Sequence, residues 1–577
     1  MIARRLVAWV AAPIALAPLL ALLALLSCAR DAPRPVADEV VEATAKDFTL
    51  PVPPSCVGDG TPLFDDVTEA AGVVHAHRIP TGLPWYERNV GGGAALDDLD
   101  GDGDLDLFVS NGSGPKSLFL NRGDGTFTQF AAHASATYPD DWTNGVSAAD
   151  YDNDGDQDLL LVNRGKSRLL RNEGGARFVD VTDTVGLDAS STGASASWGD
   201  LDGDGFVDLL IANTSLHFHP IRENPAPARS RIFRNVGGVR FVDVSGKVAP
   251  EGLPLGSSFL GTLADLDGDG DVDVLLTEEF GDHASANHVL KNAGPDGAGW
   301  VRLEMVETET GAELPYAAMG VAVLDVDGDA LPDLFLSNLA TDTPEREVLL
   351  HNDGHLHFTD VAGARGAYAM SVAGTPWFGR RTSSWGPIAF DLENDGDDDL
   401  FVVYGAWTAG PDYDLDGSIY TPMSEGQPDA LLRNDRGRFS VLAGTCVEGA
   451  GRGRGVVAGD VDGDGCIDLY VVNQDGPARL YRRRCEGVGR SIAVKLRGTR
   501  SNRDGIGAAV TITAGGSRQT KWVLGGSTSV HSSQPKRLHF GVGDAPSIDA
   551  IHVRWPSGVE QEVGASEAGR IVEIVEP

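Results

Sequence analysis

An apolar strand, a nine-residue acidic loop and a second apolar strand recur seven times along this chain, and few folds accommodate such a repeat. The loops begin at Asp98 (DLDGDGDLD), Asp150 (DYDNDGDQD), Asp200 (DLDGDGFVD), Asp265 (DLDGDGDVD), Asp325 (DVDGDALPD), Asp391 (DLENDGDDD) and Asp460 (DVDGDGCID). Their spacing of about 50 to 70 residues is the length of a four-stranded propeller blade with variable loops. Each loop is followed by a short apolar strand, then a strand ending at an asparagine turn such as Leu169–Asn172, then one opening with Phe such as Phe178–Thr182. The pattern predicts an all-β protein: a seven-bladed β-propeller with a small C-terminal β domain. Phe64–Thr68 reads as a fourth strand that arrives before any loop, and the seventh repeat has none. The ring is therefore expected to close by pairing the N-terminal strand with the last blade, which removes an exposed sheet edge.

Within each loop carboxylates fall at positions one, three, five and nine, glycine usually at six, and a backbone carbonyl is free at seven. Such hard oxygen sets suit calcium; magnesium demands tighter octahedral geometry and keeps its waters. The expected ligands of the first loop are Asp98, Asp100, Asp102 and Asp106 with the carbonyl of Asp104, and of the second Asp150, Asp152, Asp154 and Asp158 with that of Asp156. The third offers Asp200, Asp202, Asp204 and Asp208 with Phe206, and the fourth Asp265, Asp267, Asp269 and Asp273 with Asp271. The fifth offers Asp325, Asp327, Asp329 and Asp333 with Leu331, and the sixth Asp391, Glu393, Asp395 and Asp399 with Asp397. The seventh offers Asp460, Asp462, Asp464 and Asp468 with Cys466. An isolated acidic loop is often only a solvated turn; seven in register are not. The fifth departs from the pattern with Ala330 in place of glycine, and the sixth with Glu393. A further acidic run, Asp412–Gly417, lies outside the blade register and lacks a closing ligand.

The loops account for most of a formal net charge of −38. That charge repels phosphate backbones and anionic membrane surfaces, so no nucleic-acid partner is expected. The first residues read as an export signal: Arg4 and Arg5, an apolar run from Leu6 to Leu26, then Ser27 and Cys28. Leu25–Cys28 resembles a bacterial lipobox, which implies lipidation of Cys28, membrane attachment through that anchor only, and delivery to the outer membrane. The expected organisation is a lipoprotein signal peptide over 1–28, a tether over 29–59, the propeller over 60–490 and the C-terminal domain over 491–577. Cys56, Cys446, Cys466 and Cys485 remain, and four cysteines permit three pairings. Cys56 precedes the first strand and the others surround the last repeat, so a bridge tying the two ends of the ring is among the arrangements expected.

The acidic loops resemble the FG-GAP/VCBS repeats of integrin α-subunit propellers, which implies a propeller with calcium on one face. From about Ser491 the chain instead carries Asn502–Gly507, Leu538–Gly543 and Ile551–Gly558, which look like the ASPIC/UnbV domain that follows such repeats. His531, among Ser527–Ser533, reads as part of a hydrogen-bonded turn with no acid to orient it as a catalytic base. Long insertions join second and third strands at Thr214–Arg231, Glu278–His288, Leu339–Glu347 and Tyr404–Ala430, on the face away from the metals. With the link before the sixth loop they gather Trp377, Trp385, Trp407, Tyr413 and Tyr420, a candidate surface for an envelope protein or glycan. The function expected is a calcium-stabilised binding, adhesion or scaffold protein of the cell envelope. The alternative is a carbohydrate-active enzyme, a polysaccharide lyase or hydrolase, on the same propeller.

Overall fold

The computed structural model describes residues 62–577 apart from 80–89, 131–137, 215–228, 248–252, 254–256, 279–285, 307–309, 313–316, 339–346, 369–382, 407–426, 446, 448–450 and 527–528. Seven antiparallel blades of four strands follow in chain order, the second and third merged into one sheet by the pairing of Ser190–Thr192 with Arg164–Lys166. The first comprises Ala94–Asp97, Asp106–Val109, Ser117–Asn121 and Phe127–Gln129. The seventh comprises Gly453–Gly459, Asp468–Asn473 and Arg479–Arg483, and its outer strand is Phe64–Asp66 from the other end of the chain. Phe64 lies opposite Arg483 and Asp66 opposite Tyr481, so the ring closes by the strand exchange that the sequence predicts.

Blades one to five are each held to the preceding blade by the asparagine that ends the third strand. The backbone N–H of Asn172 donates to Asp158 Oδ1 at 2.8 Å, and its side-chain amide donates to the carbonyl of Leu99 in the preceding blade at 2.7 Å. Asn235 reaches Tyr151 O in the same way, Asn292 reaches Leu201 O and Asn352 reaches Leu266 O. Asn121 spans the ring junction to Val461 O at 2.8 Å. In blade seven Arg483 takes the place of asparagine, its N–H on Asp468 Oδ1 and its Nε on Leu392 O. Buried carbonyls at the blade interfaces thus gain donors, which is what makes asparagine useful there.

Residues from Arg490 onward form three further sheets, Leu538–Gly543/Arg490–Arg497/Ile571–Val575, Ser517–Trp522/Ala509–Ala514/Ala550–Arg554/Glu560–Val563 and the short pair Ser547–Ile548/Ser566–Glu567. Their core is continuous with the propeller: Tyr151, Trp198 and Phe241 of blades two and three share one cluster with Ile492, Val510, Phe540 and Trp555. From this module residues 525–526 and 529–534 run into the axis of the ring. Gly525 and Gly526 pair with Trp198 and Ser197 of blade three. His531 O accepts from Val146 N in blade two at 3.1 Å, and Ser533 O accepts from Leu96 N in blade one at 3.2 Å. The hydroxyl of Ser529 and the amide oxygen of Gln534 accept from Val456 and Ala458 of blade seven. Ser529, His531, Ser532 and Ser533 are all fully buried. The buried turn is present, with His531 Nδ1 2.6 Å from Ala194 O, but its setting is the propeller axis.

One expectation is corrected. Trp385 is not on a rim: it lies in the first strand of blade six, Ser384–Phe390, and is fully buried. Its Nε1 donates to Gly405 O at 2.8 Å and the Arg454 guanidinium stands 3.7 Å from its ring centroid, because a first strand faces the crowded axis. A disulfide joins Cys466 to Cys485 within blade seven, where the loop and the end of the third strand meet. Trp377, Trp407, Tyr413, Tyr420, Cys28, Cys56, Cys446 and the Asp412 run lie outside the described residues, as does most of each long insertion.

Candidate metal centres on the propeller face

Each acidic loop is curled by its own carboxylates. In loop two Asp150 at position one accepts from Asp154 N at 3.1 Å and Gly155 N at 2.8 Å. Asp158 at position nine accepts from Tyr151 N at 3.2 Å as well as from Asn172 N. Gly155 takes φ +104°, a region open to glycine and awkward for a residue with a Cβ. In loop five Ala330 adopts φ 67° at the matching turn, so the same curl forms there with a strained residue.

The curl gathers positions one, three and nine. Ligand atoms of Asp98, Asp100 and Asp106, of Asp150, Asp152 and Asp158, and of Asp200, Asp202 and Asp208 lie within 4.8 Å of one another in each set. The position-five carboxylates Asp102, Asp154 and Asp204 sit at the exposed loop tips, each accepting from the N–H of position seven. Among the described residues three buried carboxylate oxygens have no hydrogen-bond partner: Asp152 Oδ1, Asp202 Oδ1 and Glu393 Oε2, all at position three. An anionic oxygen withdrawn from water without a donor is unfavourable unless a cation meets it. In loops one to three the donor set is all oxygen, which fits a hard divalent cation of the calcium type.

Burial pushes Asp106 up to about 8, and Asp200, Asp273 and Asp391 up to about 7. Desolvation also raises Asp158, Asp208, Asp399 and Asp468 well above the ordinary carboxylate range. Such groups hold protons near neutrality, whereas a metal ligand must be ionised. Calcium added to chelator-treated protein in weak buffer at pH 7 should therefore release protons, and the release should diminish as the pH is raised. A pH-stat titration with no release at pH 7 would contradict this account of the loops.

Two sets of cations around the loops are harder to see in sequence. The residue before each staple asparagine, or before Arg483 in blade seven, is basic in most blades and reaches position three. Arg234 lies 2.5 Å from Asp202, Arg433 2.9 Å from Glu393 and Arg482 3.1 Å from Asp462, and Lys291 pairs with Asp267. The recurring Arg-Asn or Lys-Asn at the end of the third strand is the signal that would have revealed them. The second set comes from the C-terminal module, which covers the acidic face. Lys495 stands 3.3 Å from Asp98, Arg554 2.7 Å from Asp265 and Lys521 2.5 Å from Asp398. Asp504 accepts from Asp150 N at 2.9 Å, Arg503 N donates to Asn153 Oδ1 at 2.8 Å, and His539 Nε2 lies 2.8 Å from Asn394 Oδ1.

A family model described as an FG-GAP-like repeat matches residues 98–161, 150–211 and 265–336, and one described as ASPIC and UnbV matches 498–577. Cartilage acidic protein 1 of Mus musculus is 28% identical over an alignment covering 78% of this chain and 77% of that protein. The Homo sapiens protein of the same name is 29% identical, covering 78% and 75%. Among solved structures, rhamnogalacturonan lyase YesW is similar at 13% identity and a TM-score of 0.34, over 68% of this chain and 72% of that one, a likeness too slight to carry a functional argument. The chain thus carries FG-GAP-like repeats within 98–211 and 265–336 and an ASPIC and UnbV domain over 498–577.

Proposed function

We propose that this chain is an exported binding protein of the cell envelope, its propeller stiffened by calcium and its partner, a protein or glycan, held on the face away from the acidic loops. One observation carries the reading: the acidic face and the ring axis are both occupied by the chain's own C-terminal module. The blades are antiparallel, so second-to-third connections leave from the opposite end to the acidic loops, and the long insertions of blades three to six belong to that end. Loops clustered at one end of a rigid ring are a usual place for recognition. The Cys466–Cys485 bridge accords with an oxidising compartment, and the N-terminal signal with Cys28 as a lipid anchor accords with export. A site for glycan cleavage has less support, since the axis where acid and base groups would converge is filled by Ser529–Gln534.

The test is capture on arrays of envelope proteins and glycans, in calcium and in EGTA, by the full chain and by a Trp407→Ala/Tyr413→Ala double variant. Binding should require calcium and fall at least tenfold in the double variant, with the melting temperature unchanged. Capture unaltered by the double substitution would overturn the assignment of the recognition face.

A further inference from the structure

Blade five breaks the charge pattern of its neighbours. Where blades two, three, four, six and seven place Arg171, Arg234, Lys291, Arg433 and Arg482, it places His351. A guanidinium or ammonium group can only neutralise the position-three carboxylate, whereas a neutral imidazole can ligate a metal.

The geometry around His351 is that of a ligand already oriented. Its Nδ1 lies 3.0 Å from Asp333 Oδ1, the fully buried carboxylate at position nine. In the neutral tautomer that carries its proton on Nδ1, the lone pair is on Nε2, on the side of Asp327 and Asp353. Nε2 is 3.5 Å from Asp327 Oδ2 and 3.5 Å from Asp353 Oδ1. That separation is long for a hydrogen bond, but neighbouring ligands of a tetrahedral ion with bonds of about 2.0–2.1 Å stand about 3.4 Å apart. Asp353 lies outside the acidic loop and is itself fixed, its Oδ2 accepting from Thr359 Oγ1 at 2.7 Å with His357 Nδ1 at 3.1 Å. A histidine held by a buried carboxylate, with further carboxylates beside its other nitrogen, is the arrangement zinc sites use. Opposing charge comes from Arg365, 3.7 Å from Asp327 Oδ2 and also hydrogen-bonded to Gly437 O. The site remains partly open to solvent, with Asp327, Asp353 and His351 all retaining exposed surface, so water can complete the coordination.

We infer that blade five binds a transition metal of the zinc class through His351 Nε2, Asp327 and Asp353, with Asp333 positioning the imidazole, while the other loops keep all-oxygen sites. Mixed nitrogen and oxygen ligands select such ions over calcium. The inference rests on the reading of the loops as metal centres, and two metals separate the two claims. Full-length protein is saturated with calcium, given zinc chloride, desalted and measured by elemental analysis, and cobalt(II) is substituted for zinc to read the visible spectrum. The expected result is one zinc per chain in the presence of excess calcium, and a cobalt spectrum typical of a four-coordinate site. Asp353→Asn should weaken zinc at least tenfold and leave the calcium count unchanged, since Asp353 belongs to no calcium set. His351→Arg, which restores the residue type of the other blades, should abolish zinc and keep the fold. Calcium bound without zinc, or zinc equally retained by His351→Arg, would overturn this inference and leave the reading of the other loops standing. Loss of calcium from every loop would instead overturn that broader reading.

Discussion

Chelation of divalent cations is expected to lower the melting temperature of the purified protein by roughly 10 °C or more. An ion present at about 100 times its dissociation constant adds about 2.7 kcal/mol to the folded state, and seven loops act on one ring. Without a cation, Asp152 Oδ1, Asp202 Oδ1 and Glu393 Oε2 stay buried without partners, and the position-nine carboxylates keep protons forced on them by burial. Two variants separate metal loss from framework damage. Asp154→Asn changes an exposed loop tip and should weaken one site while leaving the melt in EGTA unaltered. Asp158→Asn also disturbs the bonds from Tyr151 and Asn172 and should lower the melt with or without metal. Identical melting curves in calcium and in EGTA would remove calcium from the account.

Gly93→Ala should be the most damaging single-methyl substitution in the ring. A Cβ on Gly93 would fall on the carbonyl oxygen of His531 and close to its carbonyl carbon, and neither belongs to a flexible side-chain end. Overpacking of this kind costs about 3 kcal/mol or more where backbone must move. Relief requires His531 to leave the axis, which frees the acceptors that Leu96 and Val146 use. Hydrogen exchange should therefore show the amides of Leu96 and Val146 losing protection, and proteases should gain access near residues 523–537. Gly564→Ala, at a position with no neighbour within 4 Å and no left-handed backbone, is the control and should be silent. A Gly93→Ala protein that melts and exchanges like Gly564→Ala would show that the axial segment does not sit as described.

The blades were legible in sequence because their signals are local. The acidic loops, the alternating strands and the unpaired Phe64 strand each carry their meaning within a few residues, and the structure returns seven blades closed at Phe64–Asp66. The association of the C-terminal module with the acidic face was not legible. Its contacts, such as Lys495 with Asp98 and His531 with Val146, join residues hundreds of positions apart whose types are ordinary at any surface. Trp385 shows the same limit in reverse. An aromatic residue among arginines reads as a recognition patch, yet its place at the start of blade six turns it onto Arg454 and Phe259 in the interior. The basic residues before the staple asparagines lie between these cases, since their recurrence is visible and only their reach to position three needs coordinates.

The axial segment also sets an order of assembly. Amides of Ala94, Leu96, Val146, Val456 and Ala458 find their acceptors only in Ser529–Gln534, near the end of the chain. During synthesis from the N-terminus every blade emerges before those acceptors do, so the innermost strands wait, with unfulfilled donors, for the last stretch to arrive. Like a keystone, the segment that satisfies these inner strands belongs to none of the blades.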